Sequence, residues 1–338
     1  MATNRITVVL SQTRSKNPAK RHLEEEIATA LLLESGIDFA VVPNVYDLSP
    51  GDTGLLYLSS VKGHLILLSW LYPRAAHWLL DRYGISGKQG VSLLKSLGED
   101  EDVDDDDDIS VENEEEKRAI GPAELPDRYL FCLDLRAFAD PKVYVDEVKR
   151  IAKESSIELV PLTGLHGGDF KAEQLKKVNA GNGLAVLGEP KETRWYPVID
   201  YSRCTNCLEC IDFCLFGVYG IDFKERILVE NQDNCKRGCP ACSRVCPENA
   251  IIFPEHKTPA IAGAPGEGPS ALKIDLSRLF GAPSAIELAA QERDLELVKD
   301  GRSAVGLTIG IPKRQAGKAA SEKDDLDKLM DELDGLEI

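Results

Sequence analysis

The sequence predicts a three-part chain: an α/β domain with a largely parallel sheet over residues 1–190, a small α+β domain over 195–256, and a flexible C-terminal extension over 257–338. Three observations predict this division. In the first part, short apolar runs alternate with amphipathic segments, which is the pattern of a parallel sheet covered by helices. Eight of the nine cysteines lie between Cys204 and Cys246. A stretch rich in proline, glycine and alanine, TPAIAGAPGEGP, then separates the cysteines from the C-terminus.

The first elements of the α/β domain are predicted to form a strand–helix–strand unit. ITVVL at 6–10 is a short buried strand, and SQTRSKN after it is a polar loop. The pattern from Pro18 to Leu33 is helical, with Asn17 as its N-cap. DFAVVP, GLLYLS and HLILLS are further apolar runs that we expect to be strands. A connection of this kind within one sheet is right-handed.

The same reasoning extends to the later elements. PRAAHWLLDRYG predicts a helix that ends at Gly84, RYLFCLDL a strand, KVYVDEVKRIAKES a helix and IELVPL a strand. Cys132 lies in RYLFCLDL, and a lone cysteine packs well as a small apolar side chain, so we expect it to be buried in the strand. Ser284 and Glu287 have capping-box spacing ahead of a helix that should stop before Gly301.

The net charge of −17 belongs to two segments and not to the folded body. Residues 99–116 carry thirteen acids and no base, so we expect an acidic disordered insertion over about 98–118. The end of the chain, 322–338, carries eight acids against two lysines. The rest of the chain is close to neutral, which argues against nucleic acid as a partner because phosphate binding needs clustered lysine and arginine.

The acidic end of the chain also has the pattern of an amphipathic helix. Its apolar side chains recur at helical spacing: Leu326, Leu329, Met330, Leu333 and Leu336. An isolated helix this short is marginal in water, so it would order only against a hydrophobic groove of a partner protein. The other interpretation is a disordered solubilising tail.

The cellular compartment is predicted to be the cytoplasm. HLILLSWLY at 64–72 is far shorter than the roughly 20 apolar residues of a membrane span. The N-terminus, MATNRITVVLSQ, has too short an apolar run for a signal peptide. Thiols stay reduced in the cytoplasm, so clustered cysteines there indicate a metal site and not disulfides.

The cysteines form two groups that are flanked alike. CTNCLECIDFC spans Cys204 to Cys214 with gaps of two, two and three residues, and CKRGCPACSRVCP places Cys235, Cys239, Cys242 and Cys246 at gaps of three, two and three. Each group follows a strand-like run and precedes another, which is an internal repeat. Four thiolates suit either zinc or an iron–sulfur cluster, but zinc sites usually use two pairs of cysteines that are far apart in sequence.

The spacing resembles that of the bacterial-type ferredoxin family with two [4Fe–4S] clusters, over residues of about 195–256. The resemblance implies a small ferredoxin-like α+β fold and two crossed ligand sets. The first set is Cys204, Cys207, Cys210 and Cys246; the second is Cys235, Cys239, Cys242 and Cys214. The second group has one extra residue before Cys239, and we expect Gly238 to absorb it by turning the loop.

Two other metal interpretations are weaker. The spacing of Cys235, Cys239 and Cys242 also matches that of radical S-adenosylmethionine enzymes. Cys246 is available as a fourth ligand, however, and the 92 residues that follow it are too few for a barrel. Structural zinc would not need three cysteines at successive gaps of two.

The function predicted from these features is electron transfer by an iron–sulfur protein that passes single electrons to or from a partner oxidoreductase. This would be an electron carrier or a non-catalytic redox subunit, because no Ser-His-Asp or paired-carboxylate arrangement can be argued from the sequence. The alternative is an iron–sulfur subunit of an oxidoreductase whose α/β domain binds a flavin or a nucleotide. The loop SQTRSKN lies where such folds bind phosphate, although it lacks the glycines of a dinucleotide fingerprint. A third possibility is a scaffold in which clusters only stabilise the fold.

The two cysteine groups differ in local charge. The second loop carries Lys236, Arg237 and Arg244 and no acid, whereas the first carries Glu209 and Asp212 and no base. Cations near a cluster favour its reduced state. From the sequence, the cluster of the second group should therefore have the higher reduction potential.

Overall fold

The computed structural model describes residues 6–95, 125–157, 186–189, 192–265 and 284–309. Several predicted segments lie outside the described residues: the acidic insertion at about 98–118, the acidic tail at 322–338 and the strand IELVPL except for its first residue. That residue, Ile157, is the last residue of a helix. No helix in the described part of the chain is long and apolar enough to cross a bilayer.

Within the described residues, the sheet of the first domain has five parallel strands: β1 (Ile6–Ser11), β2 (Ile37–Val42), β3 (Leu65–Ser69), β4 (Lys88–Gln89) and β5 (Tyr129–Asp134). They lie in the order β2-β1-β3-β5-β4, with every pairing parallel. Val9 of β1 pairs with Ala40 on one side and with Leu67 on the other. The predicted largely parallel sheet is confirmed.

In the part of this domain that the structure describes, four helices cover the sheet: α1 (Pro18–Leu32), α2 (Thr53–Ser60), α3 (Pro73–Arg82) and α4 (Pro141–Ile157). α1 and α4 lie on one face, where Leu23 and Tyr144 belong to one buried core. α2 and α3 lie on the other face and share a second core with β3. α1 begins as predicted, since Pro18 is its first residue and the Asn17 side chain accepts a hydrogen bond from the Ala19 N–H.

The prediction that GLLYLS is a strand is wrong, because these residues lie within α2. Leu55 and Leu58 are buried while Leu56 is exposed, so the buried positions are three residues apart and not two. Gly54 allows the start of this helix to pack closely, since a Cβ there would lie 3.0 Å from the Leu187 carbonyl oxygen. The strand predicted around Cys132 is β5, where burial raises the pKa of this thiol to about 12.

The cysteine-rich domain repeats one arrangement of strand, cysteine loop, short helix and strand. Its elements are β6 (Val198–Ile199), α5 (Glu209–Phe213), β7 (Tyr219–Ile221), β8 (Ile227–Val229), α6 (Ala241–Val245) and β9 (Ile251–Ile252). β6 pairs antiparallel with β9, and β7 pairs antiparallel with β8. The internal repeat read from the sequence is therefore present in the fold.

Among the described residues that follow this domain, two α-helices are present, α7 (Pro259–Ala262) and α8 (Ala285–Lys299). α8 begins with the predicted capping box, in which the Ser284 hydroxyl accepts a hydrogen bond from the Glu287 N–H and the Glu287 carboxylate accepts one from the Ser284 N–H. Ala289 is fully buried and shares a core with Val245 of α6. The helix predicted to start at Ser284 is therefore present, and apolar packing holds it against the cysteine-rich domain. The prediction of a flexible linker is wrong at α7, where Ile261 and Ala262 are buried.

The cysteine-rich domain covers the carboxyl ends of the strands in the α/β domain. Arg74, at the start of α3, bonds to Asp200 just after β6, with 2.5 Å between Nε and Oδ2. The Tyr46 hydroxyl donates to the Tyr196 carbonyl oxygen at 2.5 Å. Tyr196 and Val198 also belong to the buried core of the α/β domain. The domain that carries the cysteines is thus held on the edge of the sheet where such folds usually bind ligands.

Candidate metal centre

Strand pairing brings the ends of the two cysteine loops together. Cys204 follows β6 and Cys246 precedes β9, and these two strands pair. Cys214 precedes β7 and Cys235 follows β8, and these two also pair. The last cysteine of each loop therefore lies beside the first cysteine of the other loop.

One group of thiols contains Cys204, Cys207, Cys210 and Cys246. Burial raises the pKa of Cys204 to about 11, and repulsion from the Cys246 and Cys207 thiols contributes to the increase. Burial also raises the pKa of Cys210 well above its ordinary value, with further increases from the other three thiols. The three thiols of the first loop therefore lie near enough to the last thiol of the second loop for these groups to act on one another's pKa.

The other group contains Cys214, Cys235, Cys239 and Cys242, and these four thiols line one cavity. Burial raises the pKa of Cys242 well above its ordinary value, and the Cys214, Cys235 and Cys239 thiols raise it further. Burial likewise raises the pKa of Cys235, and Cys239 and Cys214 contribute. Here three thiols of the second loop surround the last thiol of the first.

Backbone turns give the first loop its shape. Asn206 and Leu208 adopt left-handed φ angles of 56° and 64°. The Asn206 side chain ties the loop to the β7–β8 hairpin, because its Nδ2 donates to the Glu225 carbonyl oxygen at 2.7 Å and its Oδ1 accepts from the Ile227 N–H at 2.9 Å. Asparagine suits this position since its short polar side chain tolerates the left-handed region.

The second loop turns at Gly238, as predicted. Gly238 has a φ of 86°, and the Cys239 N–H donates to the Lys236 carbonyl oxygen at 3.0 Å. A side chain at this φ would be strained, so glycine is the residue that lets the longer loop return to the same geometry.

Several thiols accept hydrogen bonds that favour a negatively charged sulfur. The Ala250 N–H donates to Cys246 Sγ at 3.2 Å. The Tyr219 hydroxyl donates to Cys242 Sγ at 3.1 Å. Burial raises the pKa of Tyr219 well above the ordinary value, and the Cys242, Cys210 and Cys214 thiols raise it further. This buried side chain therefore lies between the two groups.

No group of three or more His, Cys, Asp or Glu side chains within the described ranges is arranged to hold a single metal ion. A four-iron cube needs a wider arrangement than one ion, because iron and sulfide atoms separate its ligand sulfurs. Each thiol group offers four sulfurs, buried walls and N–H or O–H donors to sulfur, which is the donor set that such a cube requires.

Charged side chains surround the first group on the side of the α/β domain. Asp200 is buried and is shared by two cations, with Arg74 Nε at 2.5 Å and Arg203 Nε at 3.8 Å from its Oδ2. Burial lowers the pKa of Arg74, and the Cys246 thiol is among the groups that act on it in the opposite direction. A buried ion pair thus stands next to the first group.

The second group lies under α8. A carboxylate of α8, Glu292, and that of its C-cap, Asp300, pair with cations of the second loop. Lys236 Nζ lies 2.6 Å from Asp300 Oδ2, and Arg244 Nε lies 2.9 Å from Glu292 Oε2. Carboxylates far along the chain therefore offset the positive charge that the sequence of the second loop suggests.

Sequence reasoning singled out all eight clustered cysteines but missed the side chains around them. Arg74 and Arg293 lie near the thiols only because of long-range packing. Asp200 and Tyr219 lie within five residues of Cys204 and Cys214, in the runs that flank the first group, but their spacing does not mark a role. None belongs to a recognisable motif, so the sequence offered no signal for them.

The loop considered for phosphate binding, SQTRSKN, is already bonded within the protein. The Thr13 N–H donates to Glu24 Oε1 at 2.5 Å, and the Trp70 indole N–H donates to the same oxygen at 2.7 Å. Glu24 is buried, and this burial raises its pKa. A carboxyl group thus takes a backbone donor that a phosphate would need.

Two known proteins are similar to the chain. An uncharacterized ferredoxin of Methanocaldococcus jannaschii is 49% identical over 70 residues, which are 20% of this chain and 47% of that protein. Subunit PorD of the pyruvate synthase of Methanothermobacter marburgensis is 34% identical over 82 residues, which are 22% of this chain and 94% of that subunit. The chain belongs to the ferredoxin family. The ferredoxin region is an iron–sulfur region and makes up about a fifth of the chain. The chain spans about half the length of the Methanocaldococcus jannaschii relative. No family model and no solved structure matches the chain.

Proposed function

We propose that this protein is a cytoplasmic electron-transfer protein that carries two [4Fe–4S] clusters and exchanges single electrons with a partner oxidoreductase. One cluster is held by Cys204, Cys207, Cys210 and Cys246. The other is held by Cys235, Cys239, Cys242 and Cys214. When bound, each cluster takes up or releases one electron. The protein holds the thiolates, excludes water from them and donates hydrogen bonds to sulfur.

The observation that carries this proposal is the division of the eight thiols into two groups of four, each drawn from both loops. Antiparallel pairing of β6 with β9 and of β7 with β8 explains the division. The family relationship supports iron–sulfur chemistry in the same region.

A second candidate function is that of an iron–sulfur subunit whose α/β domain binds a flavin or a nucleotide. The relative PorD carries the name of a pyruvate synthase subunit, which favours a role beside a catalytic partner. A cavity of about 570 Å³ at the carboxyl ends of β1 and β2 has the size of a small-molecule site and includes Arg14 and Arg21. Glu24 also lines this cavity and opposes an anion there.

The first experiment measures cofactor content in protein purified without oxygen. We expect about eight irons and eight sulfides per chain and no flavin. About four irons, or zinc in place of iron, would contradict the two-cluster proposal. Flavin in stoichiometric amount would support the second candidate.

The second experiment tests the crossed ligation by matching spectra. Cys246→Ser and Cys207→Ser should each damage the same cluster and leave the same electron paramagnetic resonance spectrum. Cys214→Ser and Cys239→Ser should leave the other spectrum. Cys132→Ala is the matched control, because this cysteine is buried in β5, and it should keep all the iron. If Cys214→Ser matched Cys207→Ser instead, the ligation would not be crossed.

A further inference from the structure

Arg293 of α8 is a buried charge outside the cysteine-rich region. It is the largest of the fully buried side chains in the described residues, with an exposed fraction of 1%. Arginine is almost never fully buried unless it is paired, because desolvation of a charge is costly. Its position therefore calls for specific partners.

The guanidinium of Arg293 is held on all sides. Its Nη1 donates to the Ile309 carbonyl oxygen at 3.1 Å, and its Nη2 donates to the Gly306 carbonyl oxygen at 2.5 Å. Its Nε donates to Asp294 Oδ1 at 3.1 Å, and its central carbon lies 4.4 Å from the centre of the Phe213 ring. Phe213 immediately precedes Cys214, so the guanidinium is fixed next to a thiol of the second group.

The cation faces the thiols of the second group. Arg293 lines the same cavity as Cys214, Cys235, Cys239 and Cys242. Its charge lowers the pKa of Cys214, although burial raises this pKa overall. A fixed cation at this place stabilises negative charge on sulfur.

The counter-charges lie further from the cavity. Asp294 pairs with Arg293 but also accepts hydrogen bonds from the Val305 and Gly306 N–H groups, and it is not among the residues that line the cavity. Glu292 and Asp300 are paired with Arg244 and Lys236 at the rim. Burial raises the pKa of Cys239, and Glu292 and Glu296 of α8 raise it further, so these two carboxylates act against Arg293. Of the charged side chains on α8, however, only Arg293 lines the cavity together with the thiols.

We infer that Arg293 is a positioning residue that sets the reduction potential of the second-group cluster, and that α8 is a structural part of that cluster's site. The inference rests on the proposed function. Reduction adds one negative charge to a cube, so a buried cation beside it stabilises the reduced state and raises the potential. The first group has no counterpart from α8 in the described residues.

The test is a potentiometric titration of the full chain, purified without oxygen and followed by electron paramagnetic resonance. Arg293→Gln should lower the potential of the second cluster alone. At the wild-type midpoint the ratio of reduced to oxidised cluster should fall about tenfold, which is about 59 mV for one electron. Arg293→Lys should restore part of the shift. Arg302→Gln is the control, since Arg302 is an exposed cation of the same segment that contacts the Leu215 carbonyl oxygen, and it should change neither potential.

If Arg293 acts through its charge and not through packing, removal of Arg293 and removal of its counter-charge should shift the reduction potential in opposite directions. Asp294→Asn removes the counter-charge and keeps Arg293, so it should raise the potential that Arg293→Gln lowers. If both changes moved the potential in the same direction, or moved both clusters equally, Arg293 would act only through packing and the inference would be overturned. If Arg293→Gln failed to bind the second cluster, Asp294→Asn and Arg293→Lys would still decide by their signs. A wild-type protein without clusters would instead refute the proposed function itself.

Discussion

Each of the two thiol groups offers four cysteine sulfurs, but different parts of the chain pack over the two groups. The first group lies against the α/β domain, where Arg74 and Arg203 share the buried carboxylate of Asp200. The second group lies under α8, which contributes the buried Arg293 and the carboxylates that pair with the rim of the loop. A different distant segment of the chain therefore contributes a cation to each group: Arg74 of α3 for the first and Arg293 of α8 for the second.

The packing of α8 changes how far the charges of the second loop can affect the reduction potential of its cluster. Read alone, the second loop is cationic and the first is anionic. In the fold, Lys236 and Arg244 are paired with α8, so much of the cationic excess is cancelled. The prediction that the second cluster has the higher potential now depends on Arg293, which does not belong to the loop.

The largest expected effect concerns the cover of the first group. Asp200→Asn would leave Arg74 and Arg203 without their shared carboxylate in a buried place. Removal of one partner of a buried ion pair costs about 3–5 kcal/mol of folding free energy. Urea unfolding of the protein, kept free of oxygen, measures the loss.

A matched control for this change is Asp233→Asn. Asp233 is largely exposed and pairs with Arg194 at 2.6 Å, so its removal should cost about 0–1 kcal/mol. Equal losses for the two variants would mean that the pair at Asp200 does not support the first group more than a surface pair does. The resonance spectrum of the second cluster should be retained in both variants.

Loss of the Tyr219 hydroxyl should have a smaller effect, a change in the reduction potential of the second cluster and not of the first. Tyr219→Phe removes the hydrogen bond to Cys242 Sγ, which favours a more negative sulfur. A net hydrogen bond of about 1 kcal/mol corresponds to a decrease of about 40 mV in the potential of the second cluster. Titration followed by resonance spectroscopy measures it.

Tyr201→Phe is the control for the loss of a hydroxyl. The Tyr201 hydroxyl donates to the Ile227 carbonyl oxygen and not to sulfur, so neither potential should move by a comparable amount. If Tyr219→Phe shifted both potentials equally, its hydrogen bond to Cys242 would not distinguish the groups.

The smallest effect should come from the rim of the second loop. Lys236→Gln should lower the potential of the second cluster and Asp300→Asn should raise it, each by less than about 40 mV because both side chains reach solvent. The double variant should have nearly the wild-type potential. A large decrease in the double variant would show that Lys236 acts alone and that α8 does not offset the loop.

Much of the fold follows from local patterns. Asn17 and Pro18 define the start of α1, and the capping box at Ser284 defines the start of α8. The error at GLLYLS has a clear reason, since six apolar and small residues fit either period and only the burial of Leu55 and Leu58 distinguishes them. Short apolar runs are ambiguous until their neighbours are known.

The thiols of the site could be predicted because their spacing is local, but the surroundings could not. The capping box at Ser284 gives the start of a helix and says nothing about where that helix packs. Arg293 occupies an ordinary position in that helix, and its burial depends on contacts with Phe213 and with residues near Gly306. Such contacts join segments that are far apart in sequence, and no local pattern encodes them.

The position of α8 at the end of the described chain also sets an order of assembly. About 40 residues separate Cys246 from the start of this helix, and a ribosome adds about 5–20 residues per second. The second loop therefore emerges several seconds before its cover is synthesised. During this interval Cys239 lacks the side chain of Ala289, which packs against it in the finished fold.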